Sequence, residues 1–145
     1  MEIATVGFAG HSAESFFSRL SAAKIEQIID VRLNNVSQLA GFAKRDDLRF
    51  FLHEICGASY VHEKLLAPTD SMLKAYRKGE ISWDCYEMAF LTLMRERKIE
   101  KQVSQELFSS RSALLCSEHT PEKCHRRLVV EYLEKYLGPI SVIHL

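Results

Sequence analysis

The stretch Cys116-Ser117-Glu118-His119-Thr120-Pro121-Glu122-Lys123-Cys124-His125-Arg126-Arg127 gathers thiols, imidazoles, carboxylates and guanidiniums within one short segment. It joins an apolar run, Ala113 to Cys116, to an amphipathic stretch. Thr120-Pro121 reads as an N-cap followed by proline at the first helical position. The first turn of a helix presents unpaired N–H groups and a partial positive charge. Arg126 and Arg127 add fixed charge, so an anion such as a phosphate fits there. The same field would lower the pKa of Cys116 or Cys124 and favour a thiolate. Cys116, Cys124 and Glu118 are therefore candidate catalytic groups, and His125 and Arg126 candidate ligand contacts. The plainer reading is a capped helix with surface arginines and two inert cysteines. Cys116, Glu118, Cys124 and His125 are also metal-ligand types. Neighbours on a helix point about 100° apart, which is poor for chelation by Cys124 and His125, so no metal is expected.

Asp30-Val31-Arg32 ends another apolar run. Strand alternation turns Asp30 and Arg32 to one face, either as an internal ion pair or as a carboxylate and a guanidinium offered to a ligand. Asp30 joins the candidate acid/base groups and Arg32 the anion contacts. Thr5 and Gly7, in the first apolar run, are further candidate ligand contacts. Gly7 and Gly10 do not make a GxGxxG or P-loop pattern, so no dinucleotide or Walker-type site is supported. His62 is the strongest of the isolated histidines because it stands at a strand end. His11, His53, His119 and His144 are weaker, and no nucleophile elbow, HExxH or kinase motif is present.

These residues need elements to carry them. Ile3 to Phe8 predicts a strand. Ser12 caps a helix bearing Phe16, Phe17, Leu20 and Ala23. Ile25 to Val31 is nearly continuous, as a doubly buried parallel strand is. Leu33 to Phe42 predicts a long loop, Asp46 to Cys56 a helix stopped by Gly57, and Ser59 to His62 a short strand. Thr69 or Asp70 starts a helix ending at Gly79. Ser82 caps a longer one with Trp83, Tyr86, Phe90, Leu93 and Met94 on its core face. Ile99 to Phe108 predicts a further helix. Ala113 to Cys116 is a buried strand, the helix from Pro121 ends at Gly138-Pro139, and Ile140 to Leu145 is a last strand. Helical stretches between such strands predict one three-layer α/β domain over 1–145, with a mostly parallel sheet and helices on both faces. Ligands in such sheets bind beyond the strands' carboxyl ends. Asp30, Arg32, His62, Glu118 and Arg126 are accordingly expected to line one cleft.

The chain has 145 residues, 47% hydrophobic and 26% charged, which suits a globular domain. Its 19 Lys and Arg balance 19 Asp and Glu. Nucleic acid is thus a possible partner that the net charge does not support. No apolar stretch approaches a membrane span. The first residues lack a secretory pattern, so a cytoplasmic protein with free cysteines is expected. The residues specify no cofactor and leave the oligomeric state open.

Several motifs together resemble the domain-of-unknown-function family 488. They are Thr5-Val6-Gly7-Phe8 with the Phe-Phe helix, Asp30-Val31-Arg32, Phe51 to Tyr60-Val61-His62, and Val142-Ile143-His144. The most specific is Cys116-Ser117-Glu118 with Cys124-His125-Arg126-Arg127. The stretch Leu33 to Lys44 and Ile81-Ser82-Trp83 look like one branch of it. Glu63-Lys64 depart from the apolar-Pro-Glu pattern that usually follows the histidine. The resemblance implies a compact α/β domain with a polar site and no established activity. Three functions remain open: an enzyme on a phosphate-bearing substrate such as a nucleotide or nucleic-acid end; a non-catalytic nucleotide or nucleic-acid binding module; and a thiol site using Cys116 or Cys124.

Overall fold

Near-continuous apolar runs become the strands, because a strand covered on both faces must be apolar on both. The computed structural model describes residues 1–36, 41–118 and 120–145. Within them lie strands β1 (Glu2–Gly7), β2 (Gln27–Asp30), β3 (Ser59–His62), β4 (Ser112–Cys116) and β5 (Ser141–His144). Six α-helices intervene: α1 (Ala13–Ala22), α2 (Arg45–Phe51), α3 (Asp70–Arg77), α4 (Trp83–Arg97), α5 (Ile99–Gln102) and α6 (His125–Leu137). The strands form one sheet in the order β3-β2-β4-β1-β5, and every pairing is parallel. All five carboxyl ends therefore share one edge. This is a single α/β sheet with helices on both faces.

Alternation along the strands divides the core. Ile3, Ile29, Leu114 and Cys116 pack with Tyr86, Phe90 and Met94 of α4 and Leu128 and Val129 of α6. Val6, Ile28, Ala113 and Leu115 pack with Phe16, Phe17 and Leu20 of α1 and Leu48 of α2. Ser12 and Ser82 cap α1 and α4, each accepting a backbone N–H three residues on at 3.1 Å.

Three expected helices differ. The last one starts at His125, not Pro121. The Cys124 N–H bonds the Pro121 carbonyl at 3.2 Å and closes a turn there. Cys124 is extended (φ −138°, ψ 138°) and serves as the N-cap, so Arg126 stands in the first helical turn. The stretch expected as one helix over Ile99 to Phe108 breaks after α5. The Ser104 hydroxyl accepts the Glu106 N–H at 3.2 Å and starts a separate 3-10 turn, Gln105–Phe108. The Asp46 to Cys56 helix begins as α2 but ends in a π turn, Leu52–Cys56, stopped at Gly57 with φ 64°. The expected loop Leu33 to Phe42 lies partly outside the described residues, as does His119. Among the described residues no helix is long and apolar enough to cross a membrane.

Candidate functional site

The strand-end groups separate by face of the sheet. In the parallel register Asp30 pairs with His62 on one side and Leu115 on the other. Asp30 therefore points with Leu115 toward α1 and α2. Cys116, one residue further, points toward α4 and α6.

On the first face Asp30 is fully buried and carries several partners. Arg32 Nε donates to its Oδ1 at 2.9 Å and Nη2 to its Oδ2 at 2.8 Å. The Arg32 backbone N–H and the Tyr60 hydroxyl also donate to it, at 3.1 and 2.5 Å. Asn35 Nδ2 supports the Tyr60 oxygen at 3.0 Å, and Arg32 Nη2 reaches the Ala43 carbonyl at 2.8 Å. Burial opposes the Arg32 charge, but the hydrogen bonds and charge of Asp30 outweigh it and raise the guanidinium pKa. Burial first, then Asp30, raises the Tyr60 phenol. His62 Nε2 donates to the Arg32 carbonyl at 2.7 Å. The carboxylate expected to do acid/base work is thus the centre of a buried network that holds the β2–β3 edge. Its oxygens are engaged with Arg32 and Tyr60 rather than aimed at a ligand.

On the other face Cys116 Sγ lies 3.5 Å from His125 Nδ1. His125 Nε2 lies 2.7 Å from the Val31 carbonyl. A carbonyl only accepts, so Nε2 donates to it, and the sulfur stands beside the ring, 3.5 Å from Nδ1 and 3.9 Å from Nε2. Cys116 is 5% exposed and Cys124 2%. A hydrogen bond from Cys124 is the largest influence on the Cys116 thiol and lowers its pKa. Burial opposes it, while the Ser117 and Glu118 backbones and the Arg126 charge assist. The same bond, followed by burial, pushes the Cys124 thiol up. Of the pair, Cys116 is therefore the more acidic thiol and Cys124 its hydrogen-bond donor. All four cysteines are free.

Arg126 is fully buried. Its Nη1 donates to the Glu118 backbone carbonyl at 2.5 Å and stands 3.9 Å from Cys124 Sγ. It thus fixes the β4–α6 loop through a carbonyl and not through the Asp30 or Glu118 carboxylates. Gly7 makes room for this contact. A Cβ there would fall 1.5 Å from the Glu118 carbonyl oxygen and 2.5 Å from Arg126 Nη1. Thr5 is buried and bonds His144 Nδ1 at 2.5 Å, which ties β1 to β5 beside the site.

A cleft of about 410 Å³ opens beside Cys116. Of the expected site residues, Arg32, Cys116, Glu118 and His125 line it. Asp30, His62, Arg126, Cys124, Thr5 and Gly7 do not, although they share the same edge of the sheet. Its walls include Phe8, Tyr76, Trp83 and Tyr86, with Arg77 and Lys123 also bordering it. The aromatic wall was hidden in the sequence because Trp83 and Tyr86 share a helical stripe with core Phe90. Tyr60 and Asn35 were hidden because only the β2–β3 register brings Tyr60 to Asp30.

Cys116, Cys124 and His125 place their ligand-type atoms within 4.8 Å of one another. The expected divergence of Cys124 and His125 fails because Cys124 is an extended N-cap and not a helical residue. The distances alone suit a soft metal ion. A metal would take these sulfurs as thiolates, and the buried Arg126 guanidinium, 3.9 Å from Cys124 Sγ, would repel a divalent ion there. A family model described as a domain of unknown function, DUF488, matches residues 12–133. No curated protein and no solved structure matches the chain.

Proposed function

The chain belongs to the DUF488 family of domains of unknown function, and from that premise we propose that it is a cysteine-dependent enzyme whose nucleophile is Cys116. The observation that carries this reading is the His125 geometry: Nε2 is tied to the Val31 carbonyl at 2.7 Å, and the ring lies against Cys116 Sγ with Nδ1 the nearer nitrogen at 3.5 Å and Nε2 at 3.9 Å. A nucleophile, a base in reach, and a third group orienting that base form the arrangement that activates a thiol. Glu118 supplies a carboxyl group to the lining of the same cleft.

In the step this arrangement supports, the Cys116 proton passes to His125 Nδ1. The thiolate sulfur bonds to the electrophilic atom of a ligand held in the cleft. The bond from that atom to its leaving group breaks, and the leaving group takes the proton from Nδ1. Water then displaces the sulfur and returns a proton, leaving the thiol and a hydroxylated product. Cys124 and the backbone at Ser117 and Glu118 stabilise the anionic sulfur on either side of the covalent state.

The test is the pH dependence of iodoacetamide alkylation at Cys116, followed by peptide mapping, in folded protein and in the urea-unfolded chain. The folded midpoint should lie below the unfolded one. Coincident midpoints would remove the basis for a nucleophilic Cys116, whatever the absolute rates.

A further inference from the structure

The aromatic walls and cationic border of the cleft are not explained by activation of a thiol. Resting on the thiolate reading of Cys116, we propose that the cleft binds a nucleoside 5′-monophosphate, its base against the aromatic wall and its phosphate at Arg77 and Lys123. The volume, about 410 Å³, is toward the small end of ligand pockets, roughly 300–1,000 Å³, so the ligand is small. Tyr76 and Trp83 stand 5.6 Å apart at 64°, and Trp83 stacks on Tyr86 at 5.3 Å and 25°. This interlocked set gives a rigid apolar surface, and planar bases stack on such surfaces without needing a particular sequence of polar groups.

Arg77 and Lys123 reach the cleft from α3 and from the β4–α6 loop. Among the described residues neither makes a salt bridge. The Arg32 guanidinium, 5.2 Å from the Phe8 ring centroid, is a third cationic group lining the cleft. Arg32 uses Nε and Nη2 for Asp30 and Ala43, so Nη1 is the nitrogen those bonds leave out. Asn34, Ser117 and Glu118 supply polar groups for a base edge or a ribose. An aromatic ring, hydroxyls and a divalent anion on one small molecule match these features together. Inorganic phosphate would leave the aromatic wall unused, and a nucleoside would leave the cations unused.

Trp83 is the only tryptophan in the chain, so its fluorescence reports the wall directly. The full chain is titrated with the four common ribonucleoside 5′-monophosphates, their nucleosides, inorganic phosphate, and a short 5′-phosphorylated oligonucleotide. At least one monophosphate should quench saturably. Its nucleoside should bind at least tenfold more weakly, and phosphate alone should not quench. Lys123→Ala and Arg77→Ala should each weaken the monophosphate severalfold, while Lys101→Ala, at an exposed position of α5, should not. If the oligonucleotide binds at least as tightly as the free monophosphate, the terminal nucleotide of a nucleic acid is the source of the same chemistry. If it fails to bind, the free nucleotide is. Absence of quenching by every monophosphate and by the oligonucleotide up to millimolar concentration overturns the proposal. So does quenching that Lys123→Ala and Arg77→Ala leave unchanged. Cys116 alkylation on the same samples separates the two readings. A depressed alkylation midpoint without nucleotide binding sinks the ligand assignment alone. Nucleotide binding with an ordinary midpoint sinks the thiolate alone.

Discussion

Replacing Cys124 with alanine removes the donor that most strongly lowers the Cys116 thiol. Two backbone segments and the Arg126 charge remain, so the thiolate loses one support and not all of them. A hydrogen bond to a charged group contributes about 1.5–3 kcal/mol. A thiol is a weak donor, which places this bond at the bottom of that range. At about 1.4 kcal/mol per pKa unit, the Cys116 midpoint should rise by roughly one unit. The measurement is the iodoacetamide rate against pH in a Cys56→Ser, Cys85→Ser background. That background is needed because Cys85 is exposed and Cys56 half-buried. The high-pH plateau should stay near that of the background protein, since the substitution alters ionisation more than access. Cys124→Ser, which restores a donor, should bring the midpoint back down. A midpoint that does not move in Cys124→Ala, or that moves down, refutes the assignment of thiolate and donor.

Asp30→Asn should cost about 3–5 kcal/mol in urea unfolding, because it leaves buried Arg32 without its counter-charge. A stability close to wild type would contradict the structural role. Gly7→Ala should destabilise by about 3 kcal/mol, the upper end for overpacking, since its Cβ meets the Glu118 carbonyl and Arg126; an unchanged denaturation midpoint would be inconsistent with that contact. His144 has its pKa lowered, by burial first and then by Arg126, so the unfolded state takes up the proton more readily. Its effect is absent above the ordinary value of 6.5, where both states are neutral. Stability then falls as pH drops from there through the folded value. His144→Gln should flatten that part of the stability–pH curve, and an identical slope would argue against the assigned shift.

Periodicity along the chain was enough to place the strands and most helices, because burial on two faces demands apolar runs and burial on one demands a stripe. It was enough as well to put the strand ends with Asp30, Arg32, His62 and Glu118 at one edge, since parallel strands all end there, but of the five residues expected in one cleft only Arg32 and Glu118 line it. Local signals misplaced the start of α6. Thr120-Pro121 satisfies the rules for a cap, but the turn that Cys124 closes onto the Pro121 carbonyl delays the helix to His125. That delay is what lets Cys124 and His125 converge on Cys116. The partition of the edge was also beyond the reach of local pattern. Which face a strand-end residue occupies depends on register with neighbours far away in sequence, and one residue of offset sends Asp30 to α2 and Cys116 to α6. The aromatic wall likewise arises only when α3 and α4 pack beside the ends of β1 and β4. Composition and spacing act through neighbours in the chain, whereas the meeting of Cys116 with Cys124 and His125, and the cleft beside them, are made by contacts between segments that only the packed sheet brings together.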